Sequence, residues 1–472
     1  MKVQTDSPVA KLHARALHCL KTGRKAEGIT LLRQAIDLYP SSGDLHAELA
    51  SVLGQNGDLE QAAEYYKKAA RLAPKQPFIH YACGHFLLET GNAAEAERYF
   101  RKTFALMPEE VDALANVGTC LQLQKKFGEA ENIFAKTLAL QPINIQALYG
   151  MGQIYDALGD VSRAFNYFKQ ANELQSSDPI AKAISLRAFP AVINTFRNLI
   201  ASGATASWTA PPLPDDTPGL AFLVGFPRSG TTLLDQILSG HPDLEVAEEK
   251  TGLAAAGNHI IATKKKMVPQ ALSSLSDEDI QELRRIYFAT LKGMGVSLRP
   301  GSVFIDKLPL NLIYAPFIHR LFPEAKFILA LRHPCDSVLS CYMQLFSINE
   351  AMIHFLDLER AARFYDLAFT GWEEAAAALK LKTHIVRYEN VVQDLKGEVE
   401  AALDFLGLDW HDGMEAFDAT ARSRRIKTPS SGQVTQKIYS SARGRWHKYR
   451  EYMGNVPETL RPWIEKFGYE ID

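Results

Sequence analysis

LAFLVGFPRSGTTLLDQILSG, running from Leu220 to Gly240, is the stretch that decides how this chain folds. Leu220–Gly225 is a short continuous apolar run, the pattern of a parallel strand buried on both faces. Thr232–Ser239 has helical periodicity, and Gly240 ends it. A glycine-bearing loop joins the two. Strand, loop and helix in that order point backbone N–H groups at an anion, because the first turn of a helix holds unsatisfied donors at the positive end of its dipole. Counted from Gly225, the pattern is G-x-x-x-x-G-T-T.

The loop of nucleoside triphosphatases reads G-x-x-x-x-G-K-[ST], with the lysine reaching the β- and γ-phosphates. Here Thr231 stands at the lysine position, and the cation comes from Arg228 inside the loop. That disfavours a kinase or triphosphatase. The run PRSGTT (Pro227, Arg228, Ser229, Gly230, Thr231, Thr232) resembles the 5′-phosphosulfate loop of sulfotransferases. The resemblance implies binding of 3′-phosphoadenosine 5′-phosphosulfate (PAPS), with adenosine 3′,5′-bisphosphate (PAP) as product.

About 100 residues downstream, KFILALR (Lys326–Arg332) reads as a strand, and HPCDSVLSCYM turns helical from Pro334. Arg332 ends the strand and Ser340 follows eight residues later on the helix, an arrangement that resembles the family's 3′-phosphate site. Arginine grips a phosphate through two parallel N–H bonds, and serine adds a neutral donor. Further strands are expected at Val303–Lys307 and Thr383–Glu389, between helical patterns at Asp277–Val296, Leu310–Phe322 and Phe364–Leu379. Alternation of this kind means a parallel α/β sheet, whose ligands lie at the carboxyl ends of its strands.

Sulfuryl transfer needs a base for the acceptor's proton and cations for the departing phosphate. In HPDLEVAEEKTG, Glu249 lies 21 residues beyond Arg228, and PRSGTT, HPD and Glu-Glu follow in the order seen in tyrosylprotein sulfotransferases. The resemblance makes Glu249 the base, with Glu248 the adjacent alternative. His241 and His333 are the histidine alternatives, each beside a proline in a turn. Lys307, before Leu308-Pro309, resembles the family's lysine at the bridging oxygen of the leaving group, and Tyr388 resembles its cofactor-contacting tyrosine. Arg445-Trp446 resembles a Lys-Trp pair whose lysine contacts the cofactor. Ser430 or Ser431 adds a further contact, and RSRRIK (Arg422–Lys427) reads as a basic edge. No carboxylate cluster calls for a metal. The animal enzymes are membrane-anchored, lumenal and disulfide-bonded, and carry an arginine two residues after the base. Here that residue is Thr251, preceded by Lys250, which leaves the acceptor open: peptide tyrosine leads, with carbohydrate or lipid hydroxyls behind. A catalytically inactive scaffold with a nucleotide-binding domain is the rival from another class.

Upstream, the chain is periodic. Pro40, Pro74, Pro108 and Pro142 are 34 residues apart. Gly23, Gly57, Gly91 and Gly159 keep the same period, with Lys125 as the exception, as do Gly28, Ala62, Ala96, Ala130 and Ala164, and Leu32, Tyr66, Phe100, Phe134 and Phe168. The period and the residue types resemble the tetratricopeptide repeat. The small residue lets paired helices approach, the aromatic one turn on fills the space between pairs, and glycine and proline end the helices. Five units run from about Val9 to Ser176. Helix A of each unit lines a concave face, with His85, Asp112, Gln122, Gln146, Tyr149, Gln153 and Asp156 on its outward stripe, as a groove for a protein or peptide. A fusion of such repeats to this domain looks like a bacterial type of sulfotransferase.

The expected organisation is an all-α tetratricopeptide solenoid (1–178), capping helices (179–206), a Pro-rich linker (207–219) and a P-loop-like α/β sulfotransferase domain (220–472). The 472 residues suit several domains at roughly 100–200 each. Lys plus Arg number 52 against 54 Asp plus Glu, which argues against a coat for nucleic acid or anionic membrane. Five cysteines without a C-x-x-C fit a reducing, cytoplasmic setting. No apolar stretch reaches 18 residues, and the N-terminus lacks a signal-peptide core.

Overall fold

A computed structural model of the chain describes residues 7–415 and 443–471. They form two compact units that divide between Tyr167 and Phe168.

In the first unit, helices follow one another in pairs, from Pro8–Lys21 with Lys25–Leu38 to Ile145–Ala157 and the helix that begins at Val161. The turn inside each pair explains the periodic glycine. Gly23, Gly57, Gly91 and Gly159 have φ of 80°, 91°, 82° and 80°, and Lys125 is forced to 60° at the equivalent point. The periodic aromatic is fitted as tightly. A Cβ on Gly150 would come within 2.3 Å of the Phe134 ring, and one on Gly118 within 2.5 Å, so two glycines flank a fully buried phenyl. Part of the expected polar stripe forms a ladder between successive A helices. Gln146 donates to Asn116 Oδ1 (2.9 Å), Asn144 to Asp112 Oδ1 (3.0 Å), and Gln122 to Gln153 Oε1 (2.8 Å). Tyr149 is a correction to that stripe: it is buried, because its bulk is drawn into the packing between helices.

The second unit holds a five-stranded, wholly parallel sheet in the order β2-β3-β1-β4-β5. The strands are β1 (Gly219–Gly225), β2 (Leu244–Glu248), β3 (Val303–Lys307), β4 (Lys326–Leu331) and β5 (Lys382–Arg387). Central β1 is apolar throughout because both its faces are covered. Ala221 and Leu223 join Ile305, Ile328 and Val386 beneath the helices Thr231–Leu238 and Leu395–Leu406. On the other face, Phe222 meets Phe327 and Phe322, and Phe327 meets Trp372. Strand β5 stops at Arg387, and Tyr388 opens a short helix rather than continuing the strand as the sequence implied.

The segment expected to cap the repeats belongs by its contacts to this second unit. Ala188–Ala201 packs on the long helix Leu358–Leu379, where Arg197 makes a bidentate pair with Glu374 (2.8 and 2.7 Å) and Phe196 meets Tyr314. Asn172 and Gln175 donate to the carbonyls of Tyr342 and Phe346. The Pro-rich stretch is also docked rather than loose. Arg284, buried, donates to Pro211 O (2.7 Å) and Leu321 O (2.7 Å), and Arg320 donates to Thr209 O and lies over the Trp208 ring. Two buried guanidiniums thereby satisfy carbonyls of a segment that has no ladder of its own. Among the described residues, no helix is long and apolar enough to cross a membrane.

Candidate functional site

The expected site residues gather at the carboxyl ends of β1, β3, β4 and β5, in two groups. The first surrounds the loop. Gly225 is required there, since a Cβ would come 2.5 Å from Ala330 O on neighbouring β4. Gly230 has φ 96° and lies beneath Tyr388, whose Cδ2 would be 2.9 Å from an added Cβ. Arg228, at φ 69°, donates from Nε to Ser340 Oγ (3.1 Å), and Arg332 Nη1 donates to the Arg228 carbonyl (3.2 Å). The loop and the downstream Arg-Ser pair, more than 100 residues apart in the chain, are thus one cationic cluster. The Arg332 guanidinium also lies over the Tyr388 ring, 5.0 Å from its centroid. Pro227 O accepts from the Cys341 thiol (3.3 Å), and Ser229, Thr231 and Thr232 are buried. Ser229 Oγ is buried without a hydrogen-bond partner.

Arg445 is brought to this group by a residue that sequence reasoning passed over. Asp336, in the first turn of the helix Pro334–Tyr342, accepts from the backbone N–H groups of Gly444 (2.8 Å) and Trp446 (2.9 Å) and lies 3.8 Å from Arg332 Nη2. Trp446 stacks on His333 at 5.1 Å. Arg445 is therefore carried between two pinned neighbours. The Ser430 or Ser431 contact and the RSRRIK edge lie outside the described residues.

The second group centres on Lys307 at the end of β3. Its Nζ is 3.3 Å from Glu249 Oε1, 3.5 Å from Glu248 Oε1 and 3.5 Å from Asp235 Oδ2, and its side chain is 0% exposed. Burial pushes the ammonium pKa down, but Asp235, Glu249 and Glu248 outweigh it and hold the lysine above its usual value. Glu248 is paired in register with Lys307, and the Glu249 N–H donates to Lys307 O (2.8 Å). This link holds Glu249 at φ 47°, with its carboxylate 41% exposed. Asp235, the third carboxylate, went unremarked in the sequence, because in TTLLDQIL nothing marks the face on which it falls.

The histidine alternatives are occupied. His333 Nδ1 accepts from Cys335 N–H (3.2 Å), which leaves Nε2 to donate to Glu470 O (3.0 Å). His241 Nδ1 accepts from Asp243 N–H (3.1 Å), and its Nε2 meets Asp409 O (3.0 Å). Both rings shape turns, and neither presents a free nitrogen to an acceptor.

Residues 220–412 match the Sulfotransferase family, residues 13–77 the tetratricopeptide repeat, and residues 46–184 the middle TPR-like domain of cilia and flagella-associated protein 70. The second unit thus carries a match to the Sulfotransferase family, and the N-terminal helices a match to the tetratricopeptide repeat. The chain is similar to protein-tyrosine sulfotransferase 1 of Danio rerio, 24% identical over 270 residues, which cover 53% of this chain and 72% of that protein. An uncharacterized protein of Aquifex aeolicus is 27% identical over 252 residues, covering 52% of this chain and 32% of that one. Nodulation protein NoeE of Sinorhizobium fredii is 28% identical over 218 residues, covering 41% and 51% respectively. The chain thus spans about a third of the Aquifex protein and half of NoeE.

Proposed function

We propose that the chain is a PAPS-dependent sulfotransferase whose leading acceptor is a peptide tyrosine, with its repeats holding the protein or peptide that is presented. The observation that carries the reading is the side-by-side placement of the two groups. A glycine loop with two arginines stands at the ends of β1 and β4, and at the end of adjoining β3 a buried lysine meets an exposed glutamate that follows β2.

The residues suit the donor. Arg332, Ser340, Tyr388 and Arg445 would hold its 3′-phosphate and nucleoside, and Pro227 to Thr232 its 5′-phosphate. When bound, the donor supplies the sulfuryl group and leaves as the bisphosphate. Glu249, solvent-accessible and hydrogen-bonded through its backbone to Lys307, would take the acceptor's proton. Lys307 and Arg228 would supply positive charge where negative charge grows on the leaving oxygen. In the repeat unit, a cavity of about 310 Å³ bordered by Tyr81, His85, Asn116 and Gln146 would receive an extended peptide.

The test incubates the full chain with ³⁵S-labelled PAPS and a panel of acceptors: an acidic tyrosine peptide, its phenylalanine counterpart, an oligosaccharide and a lipid extract. Label on the tyrosine peptide alone is expected. Label on the oligosaccharide or the lipid moves the acceptor to that class. No transfer, together with no calorimetric binding of adenosine 3′,5′-bisphosphate, defeats the reading. In the same binding assay, Arg332→Ala is expected to erase most of the preference for the bisphosphate over AMP.

A further inference from the structure

Lys307 presents one positive charge to three carboxylates that differ in their access to water. The Glu248 and Glu249 side chains are 20% and 41% exposed, whereas Asp235 is 1% exposed. When the lysine turns toward a ligand, water can take over the solvation of the two glutamates. It cannot do so for Asp235. A buried carboxylate and a buried ammonium keep their charges only together, because separating them strands each without solvent or partner. Asp235 also belongs to the short helix into which the loop leads, about one turn after Thr231 and Thr232. Ser239 Oγ donates to its other oxygen (3.3 Å), which fixes the carboxylate. The remaining titratable neighbour, Asp306, precedes Lys307 on β3 and accepts from Tyr287 O–H on the other face of the sheet.

We propose that Asp235 is a positioning residue: the fixed counter-ion that keeps Lys307 protonated and at the donor loop while Glu249 is released to act as base. In the ligand-free protein the ammonium is shared with Glu249, at 3.3 Å from Oε1, so the carboxylate is engaged by the lysine. Negative oxygens bound at the loop draw Lys307 away from the glutamates, and Asp235 moves with neither. Binding is then ordered, donor before acceptor. The kinetic part of this inference rests on the sulfotransferase reading. The ion pair does not.

The test compares wild type with Asp235→Asn, which removes the charge at constant shape, and Asp235→Glu, which keeps it. In full-length protein carrying ¹³C-labelled lysine, the Lys307 side-chain resonance is identified by its loss in Lys307→Arg. Its titration midpoint is expected to fall by about one pH unit or more in Asp235→Asn and to stay near wild type in Asp235→Glu. In turnover, the high-pH limb of kcat is expected to move to lower pH by the same amount, because Lys307 must be protonated to act and loses its proton earlier. At neutral pH, where Lys307 stays protonated in both proteins, loss of the fixed anchor alone lowers kcat about tenfold while KM for PAPS changes less than about threefold. An unchanged midpoint, or a lower kcat with its high-pH limb unmoved, overturns the proposal. If Asp235→Asn does not fold, the wild-type midpoint decides: a value below the ordinary lysine pKa of about 10.4 overturns it, and a value above supports it. A shifted midpoint in a protein that transfers no sulfuryl group supports the ion pair and defeats the sulfotransferase reading instead.

Discussion

Arg228 and Glu249 share a backbone conformation that side-chain-bearing residues seldom take. Among the described residues, five non-glycines have positive φ: Lys125, Arg228, Glu249, Lys265 and Lys380. The three lysines end helices, where a left-handed residue satisfies trailing carbonyls. Arg228 and Glu249 end no helix. Each conformation costs about 1–3 kcal/mol, and it persists only where the surroundings impose it. Neither residue's strain is legible in the sequence, although both positions are: Arg228 from its loop and Glu249 from its register with PRSGTT. The choice between glutamate and histidine was not legible, because it depends on which nitrogens the fold had already engaged. Glu249→Gln is expected to lower turnover by about 10²–10⁴. Affinity for adenosine 3′,5′-bisphosphate, measured by calorimetry, should hardly change, and Glu248→Gln serves as the control. Full activity in Glu249→Gln would show that another group takes the proton.

At the scale of elements, the repeats were legible because their geometry is local. A 34-residue unit needs the same turn, the same close approach and the same filling ring each time, so the chain writes them at fixed intervals. Lys125 breaks that text and bears the strain of a glycine's position. Lys125→Gly is therefore expected to stabilise the repeat unit by about 0.5–1 kcal/mol, the left-handed strain removed less the flexibility that glycine adds to the unfolded chain. The readout is a melting-temperature rise of about 1–4 °C, and a fall would refute the account. Strand β2 was not legible. It is five residues long at a sheet edge, with only Leu244 and Ala247 buried, so it lacks the apolar run that betrayed β1 and β4. The Pro-rich stretch read as a linker because its composition forbids regular structure. What holds it is Arg284 and Arg320, more than 70 residues away in sequence.

At the scale of the whole molecule, the second unit stores a pH dependence beneath its site. Asp306 is wholly buried, and burial raises its pKa to about 7, even though the Tyr287 hydroxyl donates to it at 2.8 Å and Lys307 is its neighbour. An unfolded aspartate titrates near 3.9. The folded state therefore holds a proton that the unfolded state has released, and this group's stabilisation is full below about pH 4 and lost as pH rises through 7. Asp306→Asn, neutral at every pH, should melt close to wild type at pH 4.5 and above it at pH 8. Parallel melting curves across that range would contradict the assignment. The sequence by itself determined what is local or periodic: five repeats, the glycine loop after an apolar strand, and the second Arg-Ser pair at a strand end. Each depends on hydrogen bonding and packing within a few turns of chain, which residue types and spacings record directly. Only the tertiary structure decided what depends on meeting: that Arg228, Ser340 and Arg332 form one cluster, that Asp336 delivers Arg445, that both histidines are engaged, and that Asp235 stands against Lys307. Those relations are fixed by the order in which parallel strands lie side by side, and strand order is set by packing energy summed over the whole sheet rather than by any single stretch of chain.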